Sequence, residues 1–380
     1  MNSNGATDSS KISVEYTSNE LLGEYTNYSA EINLDSMTVT SGGGASISGT
    51  IVSISSAGVY HFTGTTSEGN VVVNAHNQEV VLVLDNVNMT CSTTSVVNVI
   101  DAKKVTINIP EGTTSTLSDS SKYTVFTEDD EPNAAIFSKD DLSIDGKGTL
   151  IVNANYEDAI ASKDGLKIVG TTLNITSVDD GIRGKDYVAI KDANITVKST
   201  GKAIKATEET DTTLGFIVID GGTFSIESED DALHSNNSIV INDGDFSISA
   251  GDDGIHADSS IFINGGTINI TKSYEGIEAN YIEINGGDVS VVASDDGINI
   301  NGGSDNMGMM RQDAFRAIAE GNSDDSNRML VINGGNVTVE ANGDGLDSNG
   351  SIKITGGTVL VGGSTNGGNA ALDFNNTLVA

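Results

Sequence analysis

The sequence predicts an all-β protein, a single-stranded parallel β-helix solenoid with about 22 residues per coil. Three observations predict this fold class: a repeat of nearly constant length, aliphatic residues that alternate within short segments, and glycine pairs that recur at one point of the repeat. A fixed period of this size is typical of chains that stack equivalent units along one axis.

The repeat is marked by an aliphatic residue, here called the anchor, that in most units follows an acidic pair. Most successive anchors are close to 22 residues apart, and two longer steps carry visible insertions. The anchors are Ile136, Ile160, Ile182, Ile204, Leu233, Ile255, Ile277, Ile298, Leu346 and Leu372.

Each unit contains three short strand-like pieces. In one unit Ile261 and Ile263 alternate with other residues, and Ile268 and Ile270 do the same in the next piece. Alternation with period two places the aliphatic side chains on one face of a strand, and helical spacing is absent. We therefore expect stacked coils about 4.8 Å apart around an Ile and Val interior.

The turns of the repeat carry their own signal. The pairs Gly265-Gly266 and Gly286-Gly287 recur at one corner, where other residues would adopt a positive φ only at a cost. Asparagines precede this corner and are expected to bond one another as a stacked column. They are Asn242, Asn264, Asn285 and Asn333.

The domain organisation predicted from these signals is a tail and cap over 1–35 and one β-helix over 36–376. Within the β-helix, 36–133 would form irregular first coils and 134–376 regular repeats, with a surface insert at 304–327.

Composition excludes several classes of protein. With 54 acidic against 19 basic residues and a net charge of −35, neither nucleic acid nor an anionic membrane is an expected partner. No apolar stretch reaches transmembrane length, so we expect a cytosolic protein or a secreted one, and the composition is typical of bacterial surface proteins. Cys91 lacks an internal disulfide partner and is predicted to be a buried hydrophobe.

The acidic pairs before the anchors predict a metal-binding column. Stacked carboxylates about 5 Å apart repel one another, and calcium would remove the conflict because it takes 6 to 8 oxygen ligands. The alternative is a solvated acidic edge that keeps the protein soluble. The pairs are Glu157-Asp158, Asp179-Asp180, Asp230-Asp231, Asp252-Asp253 and Asp295-Asp296.

A second column lies beside the first, one residue after each anchor. Arg183, Lys205, His234 and His256 follow one another there and would suit an anionic or polyhydroxylated polymer. The alternative is that they balance nearby aspartates. Zinc at the two histidines lacks an apparent third nitrogen or sulfur ligand. Tyr274 is a candidate for stacking on a sugar ring.

Several stretches resemble one known family. "DEPNAAIFSKDDLSIDGKGTL" (130–150), "DDGIRGKD" (179–186) and "DDGIHADSSIFINGGTINI" (252–270) resemble the calcium-binding, polysaccharide-lyase-like parallel β-helix carbohydrate-binding domains of clostridial surface proteins. The resemblance implies a right-handed β-helix, secreted or attached to the bacterial surface, that holds several calcium ions and binds cellulose or polygalacturonate-like acidic sugars of plant cell walls. It implies metal ligands drawn from Asp179, Asp180, Asp230, Asp231, Asp252, Asp253, Asp258, Asp295 and Asp296.

Binding rather than catalysis is the function that the sequence favours. A calcium-dependent pectate lyase is the alternative, with Lys205 or Arg183 as the base. Neighbouring carboxylates would favour the charged form of such a base, which opposes the lyase. A structural surface spacer remains the further alternative. The absence of Trp makes acidic sugar bridged by calcium better supported than crystalline cellulose.

Overall fold

The computed structural model describes residues 12–40, 42–126, 131–300, 328–362 and 367–380; the predicted insert 304–327 lies outside the described residues. Within the described ranges the protein is all-β, with the short helix α1 (Ser18–Leu22) near the N-terminus. The first strands are β1 (Ala30–Asn33), β2 (Thr38–Val39), β3 (Ala45–Ser48), β4 (Ile51–Ile54), β5 (Gly58–Thr66), β6 (Asn70–Asn74), β7 (Glu79–Thr90), β8 (Val97–Asp101), β9 (Lys104–Ile109), β10 (Thr114–Ser118), β11 (Ala134–Ser138), β12 (Asp141–Gly146), β13 (Thr149–Ala154), β14 (Asp158–Ser162), β15 (Gly165–Val169) and β16 (Thr172–Ser177). The later strands are β17 (Ile182–Gly184), β18 (Tyr187–Ser199), β19 (Ile204–Ala206), β20 (Phe216–Ser228), β21 (Leu233–Ser235), β22 (Ser238–Ser249), β23 (Ile255–Ile263), β24 (Thr267–Lys272), β25 (Ile277–Ile284), β26 (Asp288–Ala293), β27 (Ile298–Ile300), β28 (Met329–Ile332), β29 (Asn336–Ala341), β30 (Leu346–Ser348), β31 (Ser351–Ile354), β32 (Thr358–Gly362), β33 (Leu372–Phe374) and β34 (Leu378–Val379).

Strands of successive repeats pair in parallel. The anchors are direct partners in one of these ladders, here called the anchor ladder; for example, Ile160 pairs with Ile182 and Ile255 pairs with Ile277. Antiparallel pairing occurs near the N-terminus, between β1 and β2 and between β3 and β4. Because the acidic pairs precede the anchors, the register of the anchor ladder places the acidic pairs of successive repeats next to one another.

The predicted single-stranded β-helix solenoid is wrong in its strand connectivity. Strand pairing closes a ring of eight parallel strands, and the remaining strands continue the pairing outside it. The ring runs β7, β9, β12, β15, β18, β16, β13, β10 and back to β7.

The ring closes because β7 and β18 each pair with two other strands of the ring, β7 with β9 and β10, and β18 with β15 and β16. Both strands continue through one residue in the left-handed region, Asn86 at φ 52 and Asp192 at φ 51. Asn and Asp tolerate this conformation, so the chain turns a corner while both halves of the strand stay hydrogen-bonded. The sequence pattern predicted three separate short strands in each unit, whereas at these corners one continuous strand takes the place of two.

The interior is a continuous hydrophobic core that extends along the ladders. In β16 and β24 every second side chain is buried over most of the strand, which is the alternation predicted from the sequence. Phe224 and Phe246 stack inside this core with ring centroids 4.3 Å apart. Cys91 is 1% exposed, as predicted for a buried hydrophobe.

The predicted asparagine column is confirmed. Asn264 donates to Asn242 at 2.8 Å and Asn285 donates to Asn264 at 3.0 Å, each through its side-chain amide. At the adjoining corner Gly266 has φ 88, and a Cβ there would lie 2.5 Å from the carbonyl oxygen of Gly244. Glycine is therefore required at this point of the stack.

The segment from residue 12 to α1 packs on the outer side of the ladders. Ile12 contacts a small apolar cluster that includes Phe216 and Phe262. Glu20 is buried and accepts hydrogen bonds from Lys104 Nζ at 2.6 Å and Ser143 Oγ at 2.7 Å. Among the described residues, no helix is long and apolar enough to cross a membrane.

Candidate functional site

The acidic pairs lie where each repeat enters the anchor ladder. The side chain of the second residue in each of the first four pairs is hydrogen-bonded to the backbone. Asp158, Asp180, Asp231 and Asp253 are all buried. Asp158 Oδ1 accepts the N–H of Asp180 at 3.2 Å, and Asp231 Oδ1 accepts the N–H of Asp253 at 3.0 Å. One oxygen of each carboxylate thus satisfies a backbone donor of the following repeat.

The other oxygen of these buried carboxylates contacts a basic side chain from the neighbouring column. Arg183 Nε donates to Asp158 Oδ2 at 2.7 Å, and Lys205 Nζ to Asp180 Oδ2 at 3.2 Å. The two columns predicted from the sequence are therefore joined by charge-assisted hydrogen bonds.

The two histidines contact the next carboxylates of the column. His234 Nδ1 lies 2.9 Å from Asp231 Oδ2, and His256 Nδ1 lies 2.9 Å from Asp253 Oδ2. Their rings stack with centroids 5.0 Å apart. His234 is 7% exposed and His256 is 1% exposed, so a polymer on the surface would touch little of either ring.

The first residues of the acidic pairs are more accessible. Asp179 and Asp252 are exposed, whereas Glu157, Asp230 and Asp295 are half-buried. Three of them, Asp179, Asp230 and Asp252, take part in two triplets in which one oxygen of each carboxylate lies within 4.8 Å of the others. The triplets are Asp158 with Asp179 and Asp180, and Asp230 with Asp231 and Asp252.

Asp258, Asp230 and Asp231, three of the predicted ligands, each have a basic side chain nearby. Asp258 stands outside the triplets, with Oδ1 3.5 Å from His256 Nε2. Lys202 donates to both Asp230 and Asp231, so an ammonium group already lies inside the second triplet.

A third carboxylate triplet lies near the C-terminus and was not predicted as a site. Asp344, Asp347 and Asp373 each place an oxygen within 4.8 Å of the others. In the described part of the chain no Lys, Arg or His forms an ion pair with these three residues. Asp373 follows the anchor Leu372, so aligning the residue after each anchor to the last repeat would have found it.

Burial and like charges raise several carboxyl pKa values here. Burial raises the pKa of Asp347 to about 7, with Asp296 and Asp344 adding to the shift. Burial raises the pKa of Asp296 to about 6. Burial together with Glu278 and Asp253 raises the pKa of Glu275 to about 10. These carboxyls hold protons at a pH where exposed carboxyls are ionised, so a bound cation would displace protons.

Asp231 shifts in the opposite direction. Burial alone would raise its pKa, but the hydrogen bond to His234 and the charge of Lys202 outweigh burial and hold the pKa well below its usual range. Asp231 is therefore ionised and paired.

Glycines leave space beside two of the acidic pairs. A Cβ on Gly201 would lie 2.5 Å from Asp179 Oδ1 and 2.7 Å from Asp180 Oδ1. A Cβ on Gly343 would lie 2.3 Å from Asp296 Oδ1 and 2.7 Å from Asp295 Oδ1. A side chain at either position would occupy the room next to the carboxylates, and an oxygen-only donor set suits a hard cation such as calcium.

The residues predicted to contact substrate differ in accessibility. The side chain of Arg183 is 16% exposed and that of Lys205 is 26% exposed, and both are ion-paired. Tyr274 is 46% exposed and lies on the side of the acidic column. Arg183, Lys205 and Tyr274 thus remain within reach of a ligand on the surface.

Comparison with known proteins agrees with a carbohydrate-related surface. A solved structure described as the polysaccharide lyase-like protein from C. thermocellum, a gadolinium derivative, aligns with a TM-score of 0.59 and 32% sequence identity. The alignment covers 62% of this chain and 96% of that chain.

A sequence relative points the same way. A carbohydrate-binding domain-containing protein of Acetivibrio thermocellus is 37% identical over 134 residues, which is 35% of this chain. The match spans about half, 47%, of that relative's length. The sequence profile described as "Carbohydrate-binding domain-containing protein" matches residues 48–297, which include all five acidic pairs. The chain therefore belongs to the family of carbohydrate-binding domain-containing proteins.

Proposed function

We propose that the protein binds plant cell-wall polysaccharide in a calcium-dependent manner, with acidic polymers such as polygalacturonate as its preferred ligands. The observation that carries the proposal is the set of three carboxylate triplets aligned along one edge of the anchor ladder. Membership in the carbohydrate-binding family supplies the ligand class.

The ligand chemistry supports calcium rather than a softer metal. Each triplet offers carboxylate oxygens only, and calcium prefers several such ligands with backbone carbonyls and water completing the shell. Gadolinium, present in the solved neighbour, is likewise a hard cation that favours oxygen. We expect Asp344, Asp347 and Asp373 to bind calcium most readily, because their carboxylates are crowded together and none of them is ion-paired with a base among the described residues.

The two triplets that contain basic partners would bind calcium more weakly. Lys202 lies between Asp230 and Asp231, and Arg183 occupies one oxygen of Asp158. A calcium ion there would have to share or displace these cations. Affinity should therefore differ between the three triplets.

An acidic polysaccharide fits the same edge. A uronate carboxylate can complete the shell of a calcium ion whose protein ligands leave a side open to solvent. Arg183 and Lys205 can donate to further carboxylates or hydroxyls, and the exposed Tyr274 can present its ring to a sugar. A neutral, flat polymer would gain less, since the chain has no Trp.

Secretion or attachment to the bacterial surface is part of the proposal, because extracellular calcium is abundant and the polymer is found outside the cell. A non-catalytic role is proposed as well. Arg183 and Lys205 are hydrogen-bonded to carboxylates, which favours their charged forms. A charged side chain can bind an anionic ligand but cannot act as a base that removes a proton from it.

The test is co-sedimentation with polygalacturonate and with cellulose, in calcium and in excess chelator, while ultraviolet absorbance reports unsaturated uronate. We expect calcium-dependent retention on polygalacturonate with flat absorbance. Asp344→Asn combined with Asp347→Asn should remove about one bound calcium, whereas Asp192→Asn, whose side chain is 70% exposed, is the matched control and should remove none.

Three outcomes would overturn the proposal. Calcium-dependent growth of absorbance would make the protein a lyase. Retention on cellulose alone would mean that the ligand is a neutral polymer. If the protein bound neither polymer while calcium still raised its Tm, calcium would only stabilise the fold, and the protein would be a structural spacer.

A further inference from the structure

The environment of His256 differs from the all-oxygen triplets because it combines nitrogen and oxygen donors. His256 Nδ1 lies 2.9 Å from Asp253 Oδ2 and 3.4 Å from Glu278 Oε2. The three residues are 4%, 1% and 7% exposed for Asp253, His256 and Glu278. Their donor atoms all lie within 4.8 Å of one another.

Asn299 lies in the repeat next to this group. It follows the anchor Ile298 on β27 and is the direct strand partner of Glu278. Its Nδ2 donates to Glu275 Oε2 at 2.7 Å, while its Oδ1 is buried and makes no hydrogen bond. Buried polar atoms are nearly always paired, so an amide oxygen that is buried without a hydrogen bond beside carboxylates is a position that a cation would satisfy.

We propose that Asp253, His256, Glu278 and Asn299 bind one divalent transition-metal ion, Zn²⁺ or Mn²⁺. The imidazole is the reason for this class of ion, because neutral histidine nitrogen suits Zn²⁺ and is not a calcium ligand, while the oxygen donors beside it also suit Mn²⁺. The site is separate from the three carboxylate triplets that carry the calcium proposal, because none of those triplets includes Asp253, which the sequence had predicted as a calcium ligand.

The spacing of the donors agrees with a metal. Two donors about 2.05 Å from a tetrahedral ion are about 3.3 Å apart. The distances from His256 Nδ1 to the two carboxylate oxygens, 2.9 and 3.4 Å, bracket that value. The cluster can thus close on an ion with small side-chain movements.

Partners outside the donor set orient the ligands. Asp253 Oδ1 accepts the N–H of Glu275 at 3.3 Å, which fixes the plane of that carboxylate. His256 Nε2 lies 3.5 Å from Asp258 Oδ1, so a carboxylate is placed on the side of the ring where Nε2–H would donate a hydrogen bond when Nδ1 binds the metal. Such carboxylate support is a regular feature of histidine metal ligands.

The neighbouring His234 shows why only one such site is proposed. Its carboxylate partner, Asp231, also binds the ammonium of Lys202, so a cation is already present there. His234 Nε2 lies 3.1 Å from Asn236 Oδ1. Zinc had no apparent third ligand in the sequence because Glu278 and Asn299 come from the next repeats and meet His256 only through the strand register.

The test is titration of the wild-type protein with Zn²⁺, Mn²⁺ and Co²⁺ in millimolar calcium, with metal content read by mass spectrometry and Co²⁺ coordination by visible absorption. We expect one bound equivalent and a rise in Tm. Glu278→Gln and His256→Gln should weaken binding at least about 10-fold. His76→Gln is the matched control, since the His76–Asp101 pair at 2.8 Å is exposed at its imidazole.

A wild-type protein that binds none of the three ions would overturn the proposal without any variant. Equal binding in the Glu278→Gln and wild-type proteins would overturn it as well, and so would displacement of the bound Zn²⁺ by calcium. Should His256→Gln fail to fold, Asn299→Leu tests the same site by removing the unsatisfied oxygen.

Discussion

Replacing Asp158 by asparagine tests whether burial raises the pKa of a carboxyl in the acidic column. Asp158 is 2% exposed, and burial raises the pKa of its carboxyl to about 7, although the Arg183 guanidinium acts in the opposite direction. A carboxyl with a higher pKa in the folded protein than in the unfolded chain binds its proton more tightly when folded. Its contribution therefore favours folding at about pH 4 and 5 relative to pH 8, and this advantage is lost as the pH rises through 7.

The size of the effect follows from the shift. A change from 3.8 to about 7 corresponds to about 4 kcal/mol. Asparagine does not titrate, so the difference in unfolding free energy between Asp158→Asn and the wild type should change by about 4 kcal/mol between about pH 4 and pH 9, in favour of the variant at high pH. Any constant difference in packing cancels in this comparison.

The assay is urea unfolding in excess chelator across this pH range, with carbon-13 NMR of the Asp158 carboxyl as a direct readout. Asp192→Asn, at an exposed carboxylate, is the control and should show a nearly pH-independent difference. Parallel stability curves for Asp158→Asn and the wild type, or an NMR midpoint near 4, would refute the reasoning. With calcium bound, as proposed, the midpoint should fall, because a nearby cation favours the carboxylate.

Two further predictions concern the charge network and the core. Lys202→Met should lower the unfolding free energy at pH 7 by about 2–4 kcal/mol, since it removes a partner of the buried Asp231, whereas Lys198→Met breaks an exposed pair and should cost much less. Because the pKa of Asp231 is held low, the contribution of Lys202 to stability is present above about pH 4 and is lost progressively as the pH falls below that value. Urea unfolding above and below about pH 4 measures this loss. Phe224→Ala should cost about 3–5 kcal/mol by leaving a cavity beside Phe246, measured in the same way.

Each of these has a contradicting result. Equal losses for Lys202→Met and Lys198→Met would mean that burial does not strengthen the Lys202 pair. A loss for Phe224→Ala no larger than that for Phe374→Ala, whose side chain is 36% exposed, would mean that the core relaxes around the missing ring.

Much of the local structure was readable from the sequence because it depends on neighbours one repeat away. The anchors, the asparagine column and the glycine corner each recur at a near-constant spacing, and strand register brings equal positions together. The acidic and basic columns were placed side by side for the same reason, and the structure joins them through Asp158 with Arg183 and Asp180 with Lys205.

The closed ring of eight strands was not readable in this way. It depends on Asn86 and Asp192 adopting left-handed backbone while the strand hydrogen bonds continue on both sides. Residue identity permits that conformation at many Asn and Asp positions, and only the surrounding packing decides where it occurs.

The sequence by itself determined the all-β class, the repeat spacing and the presence of a carboxylate column, since periodicity and charge are properties of the chain. Only the tertiary structure decided which carboxylates are neutralised by Arg183, Lys202 and Lys205, and which remain crowded, such as Asp344 and Asp347. It also decided that Glu278 and Asn299 meet His256. The physical reason is that charge pairing and burial depend on distances of a few ångströms between side chains from different repeats, which spacing along the chain does not specify.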